Sequence, residues 1–264
     1  MTQADSEDEA PVEGRRSRGI QSIEVGGRLL LALVHLGRPV ALKDLAREAG
    51  MSAAKAHPYL VSFGALGLIE QDPASGRYGL GPLALQMGLI SLHQADPIRL
   101  AAAELPALAQ RIGQTVGIAI WGNRGPTFVR LEEGPTAVHV NMRHGTVVSV
   151  LGTASGRVFA AFMDDERRAQ CLRAENPGPR ALARFEKELA TVRAQRFAGV
   201  VDGTVPGVTA IAAPVFDGFG ALVLALTAIG PGAMLDASPD GPAARVLREA
   251  ASALSRRLGA VPQG

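Results

Sequence analysis

The sequence predicts an α+β chain in two parts: a winged helix-turn-helix, then a linker helix and a domain built on an antiparallel sheet. Two observations carry this. Over residues 19–81, segments with helical apolar spacing precede two short β-type runs around a Pro/Gly turn. From about residue 113 the apolar period becomes that of strands, with helical segments grouped between them.

Residues 1–18 stand outside both parts. Asp5, Glu7, Asp8, Glu9 and Glu13 precede Arg15, Arg16 and Arg18 with no hydrophobic period, so a disordered tail is expected. Its arginines can touch DNA phosphate beside the folded module or simply stay solvated. The first helix is expected at Ser22–Leu36, with Ile23, Leu30, Leu33 and Val34 as apolar positions. It holds Gly26-Gly27, each costing up to ~1 kcal/mol against Ala, which suggests close packing against another backbone. Gly37-Arg38-Pro39 ends it. A second helix follows at Leu42–Ala49, Gly50 turns the chain, and Ser52 can cap a third helix to about Leu66. Leu68–Gln71 and Arg77–Leu80 flank the turn Asp72–Gly76 as a β-hairpin. Three helices followed by a hairpin make a winged helix-turn-helix.

Pro82–Gln94 reads as a connecting helix whose Leu83, Leu85, Met87, Leu89, Ile90 and Leu92 occupy more than one face, which a second copy of the chain can cover. A helix is expected at Ile98–Ile112. Strands follow at Thr115–Trp121, Thr127–Glu133, Val138–Asn141, Val147–Val150, Val208–Phe216 and Ala221–Ile229, with helices at Ser155–Met163, Asp165–Ala174, Arg180–Gln195 and Pro242–Leu258. Gly199–Gly207 reads as a glycine-rich loop. The expected division is a tail at 1–18, the helix-turn-helix at 19–81, a linker and dimerisation helix at 82–97, and a second domain at 98–264.

Composition narrows the class. The net charge of +2 argues against a generally basic coat but leaves room for a local DNA-binding face. Residues 19–91 hold six bases and five acids, a net of +1, so non-specific affinity for DNA should be modest. The single Cys171 allows no internal disulfide, and residues 1–18 have no apolar run of the secretory kind. With no apolar stretch long enough to span a bilayer, a cytoplasmic protein with no membrane partner is expected.

On the third helix, Ala56, Leu60 and Phe63 share a face that should pack inward, opposite Ala54, Pro58, Val61, Ser62 and Ala65. The surface offered to a major groove is then Ser52, Ala53, Ala54, Lys55, His57, Pro58 and Tyr59. Alanines and a proline can meet thymine methyl groups, and Lys55 can donate to guanine or phosphate. Pro58 removes an intrahelical hydrogen bond and should kink the helix or shorten its first part, at roughly 3 kcal/mol if unrelieved. Arg77 in the hairpin suits a backbone or minor-groove contact, or plain solubility.

These residues carry a family resemblance. Met51–Leu60, Gly67–Pro73 and Gly76–Pro82, with Gln21-Ser22-Ile23, resemble the DNA-binding domain of the IclR transcription regulators. Gly152–Arg157, Pro206–Asp217 and Ala225–Pro231 resemble that family's effector domain. The resemblance spans roughly residues 19–258. It implies a GAF-like effector domain, a homodimer or homotetramer, a palindromic double-stranded operator, and a small organic acid or aromatic as effector, with repression or activation as outcome. It places the pocket at Ala154, Ser155, Asp202, Ala210, Thr227 and Ile229. Three features depart from the family pattern: Pro58 stands where Arg is frequent, the Asp202 loop is shorter, and Ile229 replaces a small polar residue. The last implies a pocket less polar than one built for a small keto acid.

Other chemistry is poorly supported. Thr153–Gly156 is not a nucleophile elbow and is better read as a helix cap. Cys171 reads as an inert, part-buried thiol. His139 and His144 lack further ligands at metal spacing, and Gly199–Gly207 has no following Lys-Ser/Thr. No catalytic residue, metal or cofactor is assigned. A second reading makes the chain a small-molecule sensor whose helix-turn-helix serves protein contacts.

Overall fold

A computed structural model describes residues 19–136, 140 and 142–261 of the chain. The charged tail at 1–18, His139 and most of the strand expected at Val138–Asn141 lie outside the described residues. The chain divides into two compact units, Met1–Gln94 and Ala95–Gly264.

In the first unit, α1 (Gln21–Leu36), α2 (Leu42–Glu48) and α3 (Ala53–Ala65) pack around Leu29, Leu33, Leu45, Ala46, Ala56 and Leu60. The hairpin β1 (Ile69–Gln71) and β2 (Tyr78–Leu80) pairs Ile69 with Leu80 and closes the core with Ile69 and Tyr78. Val40 and Tyr78 exchange both backbone bonds, at 3.0 and 2.8 Å, so the α1–α2 connection adds a rung to the wing. At the wing's tip, bonds from the Ser75 hydroxyl and the Ala74 N–H hold the exposed Asp72 carboxyl below its ordinary value.

The apolar residues of α1 divide in two, and one expectation for this helix needs correction. Its buried stripe is Gly26, Leu29, Ala32 and Leu33, whereas Ile23 and Val34 are exposed. Ile20, Ile23, Leu31 and Val34 thus form a second apolar stripe facing solvent, which a search for one apolar face merges with the first. Gly26 is closely packed, but against rings and not backbone. A Cβ there would lie 2.8 Å from Tyr59 Cδ1 and 3.0 Å from Phe63 Cζ, while Gly27 faces open space. Helix α4 (Pro82–Gln94) leaves the wing at Gly81, where Gly81 and Leu83 donate to the Leu68 and Gly67 carbonyls, each at 2.9 Å.

In the second unit, five strands pair among the described residues in the antiparallel order β4-β3-β7-β6-β5. They are β3 (Thr115–Gly122), β4 (Gly125–Glu132), β5 (Ala198–Val201), β6 (Val208–Phe216) and β7 (Leu222–Pro231). Alternation along β6 and β7 splits their side chains between two cores. Ile211, Ala213, Val215, Leu224, Leu226 and Ala228 meet α5 (Pro97–Ala102), α6 (Leu105–Ile112) and α10 (Pro242–Arg257). Ala210, Ala212, Ala225 and Ile229 face the side of α7 (Ala154–Phe162), α8 (Asp165–Glu175) and α9 (Pro179–Gln195).

Three elements differ from expectation, each for a local reason. The helix expected at Ile98–Ile112 is two helices, because Pro106 in the first turn of α6 has no N–H for the Ala102 carbonyl. Val147–Val150 is not a strand. Only Val147 bridges to Thr127, and the Val150 N–H goes to the Glu175 carboxylate. Gly199, read as loop, lies within β5, and a Cβ there would strike the Ala237 carbonyl, so glycine serves close approach.

Backbone groups along part of each flank of the sheet are already engaged. Residues 145–148 cover β4 through Phe128 N–H to Thr146 O and Val148 N–H to Pro126 O. On the other rim β5 pairs β6 only at Thr209–Ala212. Beyond it, Pro214 has no N–H, and the Phe216 N–H donates to Ser255 Oγ at 3.0 Å.

Candidate functional site

The helix of the first unit that could read DNA is α3. Ala56 and Leu60 are buried and Phe63 packs beside them, which fixes the opposite face outward. Ser52, Ala53, Ala54, Lys55, His57 and Pro58 are exposed. Ser52 is also the cap: its hydroxyl accepts the Lys55 N–H at 3.3 Å. Tyr59 is half-buried, its ring held against Gly26. Pro58 does not shorten the helix, which runs unbroken from Ala53 to Ala65. The carbonyl it strands belongs to Ala54 in the exposed first turn, and Ser62 Oγ donates to the Pro58 carbonyl at 3.0 Å. Arg77 is exposed on the wing, with its guanidinium 3.5 Å from the Pro39 carbonyl.

In the second unit the structure brings together five of the six residues named for a ligand. Ala210 pairs Ile229 across β6 and β7, and Thr227 lies between Ala212 and Gly117. Ala154 and Ser155 open α7 above this face. Small residues let the helix lie close: a Cβ at Gly156 would strike the Ser149 carbonyl. Ser155 Oγ and Thr227 Oγ1 share a hydrogen bond of 2.8 Å. Ala154, Ser155, Thr227 and Ile229 expose 0, 1, 1 and 4% of their surface, and Ala210 is half-buried, so the cluster is closed. Trp121 and Phe159 add an aromatic pair at 5.7 Å to the same core.

Asp202 stands apart from this cluster. It is exposed at a positive φ of 50°, and its carboxylate accepts the Gly207 N–H at 2.6 Å, which closes its own loop. The next residues of that loop do reach the α7 entry, where Thr204 Oγ1 lies 3.4 Å from the Gly152 carbonyl. The six residues line neither of two cavities found elsewhere in the second unit. One is an open cleft of about 1130 Å³ between α9, β6 and α10, with Arg193, Arg196, Arg245, Arg248 and Arg256 on its walls. The other, of about 230 Å³, lies beside Arg157 and Glu188.

The turn into α7 joins the cap expected at Thr153–Gly156 to two residues that sequence reasoning missed, Glu175 and Arg157. Thr153 caps the helix by accepting the Gly156 N–H at 3.1 Å. Glu175, at the end of α8, accepts from Ser149, Val150 and Leu151. Arg157 donates to the Leu151 carbonyl and pairs with Glu188 at 2.9 Å. Its burial pulls the guanidinium below its ordinary value, against the pull of Glu188. No spacing in the sequence signals the Glu175 contact, since 24 to 26 residues separate the partners.

Comparison with known proteins agrees with this architecture. Residues 22–73 match the IclR helix-turn-helix domain, and residues 90–256 match the C-terminal domain of bacterial transcriptional regulator IclR. The chain is 32% identical over 251 residues to the glycerol operon regulatory protein of Streptomyces griseus, covering 92% of this chain and 98% of that one. The crystal structure of Pseudomonas aeruginosa HmgR aligns with TM-score 0.85 and 36% identity, over 92% of this chain and all of that one. A Microbacterium hydrocarbonoxydans IclR homologue, solved with 4-hydroxybenzoate, shares the fold at TM-score 0.53 and 21% identity, covering 89% of this chain and 98% of that one. The relatives are transcription regulators and not enzymes, and none supports a helix-turn-helix reserved for protein contact. Matched in both of its domains, the chain belongs to the IclR family of DNA-binding transcriptional regulators.

Proposed function

We propose that this regulator reads its operator with Ser52, Ala53, Ala54, Lys55, His57, Pro58 and Tyr59 of α3 and its cap, with Arg77 of the wing at the backbone. It answers to a small, largely apolar carboxylic acid, aromatic acids included. The observation that carries the ligand reading is the buried cluster of Ala154, Ser155, Ala210, Thr227 and Ile229. It is mostly apolar with two hydroxyls fixed at its centre, the composition of a small-molecule site. Asp202 serves the site from outside it, by closing the loop whose Thr204 meets Gly152. The start of α7 favours the acid's negative charge, and Ile229 favours an apolar body over a two- or three-carbon acid. That a regulator of this fold was solved with 4-hydroxybenzoate is in keeping with such a ligand.

The working form is at least a dimer, acting on double-stranded DNA in the cytoplasm. Two exposed apolar surfaces support this: Ile20, Ile23, Leu31 and Val34 on α1, and Leu85, Met87, Leu89 and Ile90 on α4. Such surfaces mark association faces, and a two-fold dimer presents two reading heads to matched half-sites.

Footprinting on the DNA flanking the gene, with aromatic and aliphatic acids added, tests the whole reading. The wild type should protect a palindromic site and change its protection with one of these acids. Ala154→Trp, which adds bulk where the cluster is already closed, should keep the footprint, since the reading helix belongs to the other unit, and lose the response. A normal response from that variant, or a response only to a sugar or a cation, overturns the ligand site.

A further inference from the structure

The turn that leads into α7 is shaped to hold an anion, and the chain fills it with one of its own. Val150 N–H donates to Glu175 Oε1 at 2.6 Å, while Ser149 Oγ and Leu151 N–H donate to Oε2 at 2.7 and 3.1 Å. Successive backbone amides aimed at one carboxylate form a concave anion site, and bonds to an ionised acceptor are among the stronger ones. Neighbouring donors are already spent: the Gly152 N–H goes to Ser149 Oγ at 2.8 Å and the Gly156 N–H to Thr153 Oγ1. A second carboxylate arriving here therefore competes with Glu175 for the same three donors.

Glu175 is a replaceable occupant. It is exposed, on the last turn of a helix of eleven residues in which only Leu172 is buried. Otherwise α8 is attached by the half-buried Ala169 and Cys171 and by the mostly buried side chain of Arg168, 3.7 Å from Glu186. A helix with so little buried surface detaches at low cost. The segment it restrains runs straight into Ala154 and Ser155, which lie closed over Thr227. Admitting a ligand to that cluster requires residues 149–153 to move, and the Glu175 bonds hold them.

Building on the ligand site argued above, we propose that the Ser149–Leu151 turn is the subsite for the effector's carboxylate, with Glu175 as its built-in stand-in. The incoming carboxylate takes the Val150 and Leu151 N–H groups, Glu175 turns out to solvent, and α8 loosens. The two states differ in which carboxylate holds the turn, which gives the ligand the differential contact that any switch needs.

Glu175→Gln tests this, because one acceptor oxygen becomes a donor while an exposed side chain keeps its shape. The readouts are amide hydrogen exchange over residues 149–153 and 165–175, and calorimetry with sodium benzoate, using benzyl alcohol as the neutral control. Without ligand, the variant should exchange faster in both segments. It should bind benzoate about tenfold more tightly, since the internal competitor is weakened, with benzyl alcohol unaffected. Saturating benzoate should speed exchange over 165–175 in the wild type. A purely structural brace predicts the opposite sign, weaker benzoate binding by the variant. That result, an equal affinity, or wild-type exchange unmoved by bound benzoate overturns the subsite and leaves the ligand cluster standing. Failure of both proteins to bind benzoate, with the variant still exchanging faster, sinks the acid-binding reading and the subsite with it.

Discussion

Ser155 Oγ on α7 and Thr227 Oγ1 on β7 lie 2.8 Å apart and bury each other's only visible polar atom. A buried hydroxyl that loses its partner costs about 1–3 kcal/mol. Thr227→Val should therefore destabilise the second unit by that amount in urea unfolding. Ser155→Ala combined with Thr227→Val should cost less than the two single losses added, because neither hydroxyl is then stranded. Strict additivity would show that the bond contributes nothing.

Lys55 is exposed on the first turn of α3, with its backbone N–H already satisfied by Ser52. Lys55→Ala should leave the melting temperature unchanged and weaken operator binding by at least ~1 kcal/mol. A gel-shift titration at fixed salt measures it. Unaltered affinity removes Lys55 from the interface.

Gly26 is where α1 meets the Tyr59 and Phe63 rings. Gly26→Ala gains helix propensity but pushes both rings, and overpacking of this kind costs about 1–3 kcal/mol. The first unit should melt earlier, and DNA affinity should fall as α3 shifts. A higher melting temperature would mean the rings yield freely.

Burial, and after it the Glu175 carboxylate, push the Cys171 thiol above its ordinary value. The native thiol thus keeps its proton where an unfolded one has lost it. Its contribution to stability is complete below the unfolded value and disappears as pH rises through the folded one. Thiol alkylation follows the thiolate, so its midpoint against pH should lie above that of the unfolded chain, and Glu175→Gln should lower it. A native midpoint at or below the unfolded one refutes the burial argument.

Leu31 and Leu89 sit on the two exposed apolar faces of the first unit. Leu31→Glu and Leu89→Glu should each shift sedimentation toward monomer at micromolar concentration without unfolding the chain. If both variants sediment like the wild type, association uses another surface.

The sequence made legible whatever rests on local chemistry. Ser52 and Thr153 announced their helices because a hydroxyl there satisfies an otherwise free N–H. Ala210, Thr227 and Ile229 came from the family resemblance, and the pairing of β6 with β7 puts them on one face. The sequence did not show the helix break before Pro106, where apolar spacing continues across the gap. It left the apolar residues of α1 undivided, because a helix with two apolar stripes looks like a helix with one broad stripe. Gly199 misled because a glycine kept for close approach to Ala237 resembles a glycine kept for a turn. The bond between Glu175 and the α7 entry depends on where α8 comes to rest, and no periodicity encodes that.

The outer rim of β6 has a consequence for how this protein assembles. An open strand end normally lets two sheets zip together through their main chains. Here the imino nitrogen of Pro214 has no hydrogen to give, and Ser255 has already claimed that of Phe216. With 145–148 laid along the first half of β4, both of these stretches are closed to a neighbouring sheet. Copies of the chain that approach these stretches meet them through side chains, which can be matched in shape and limited in number.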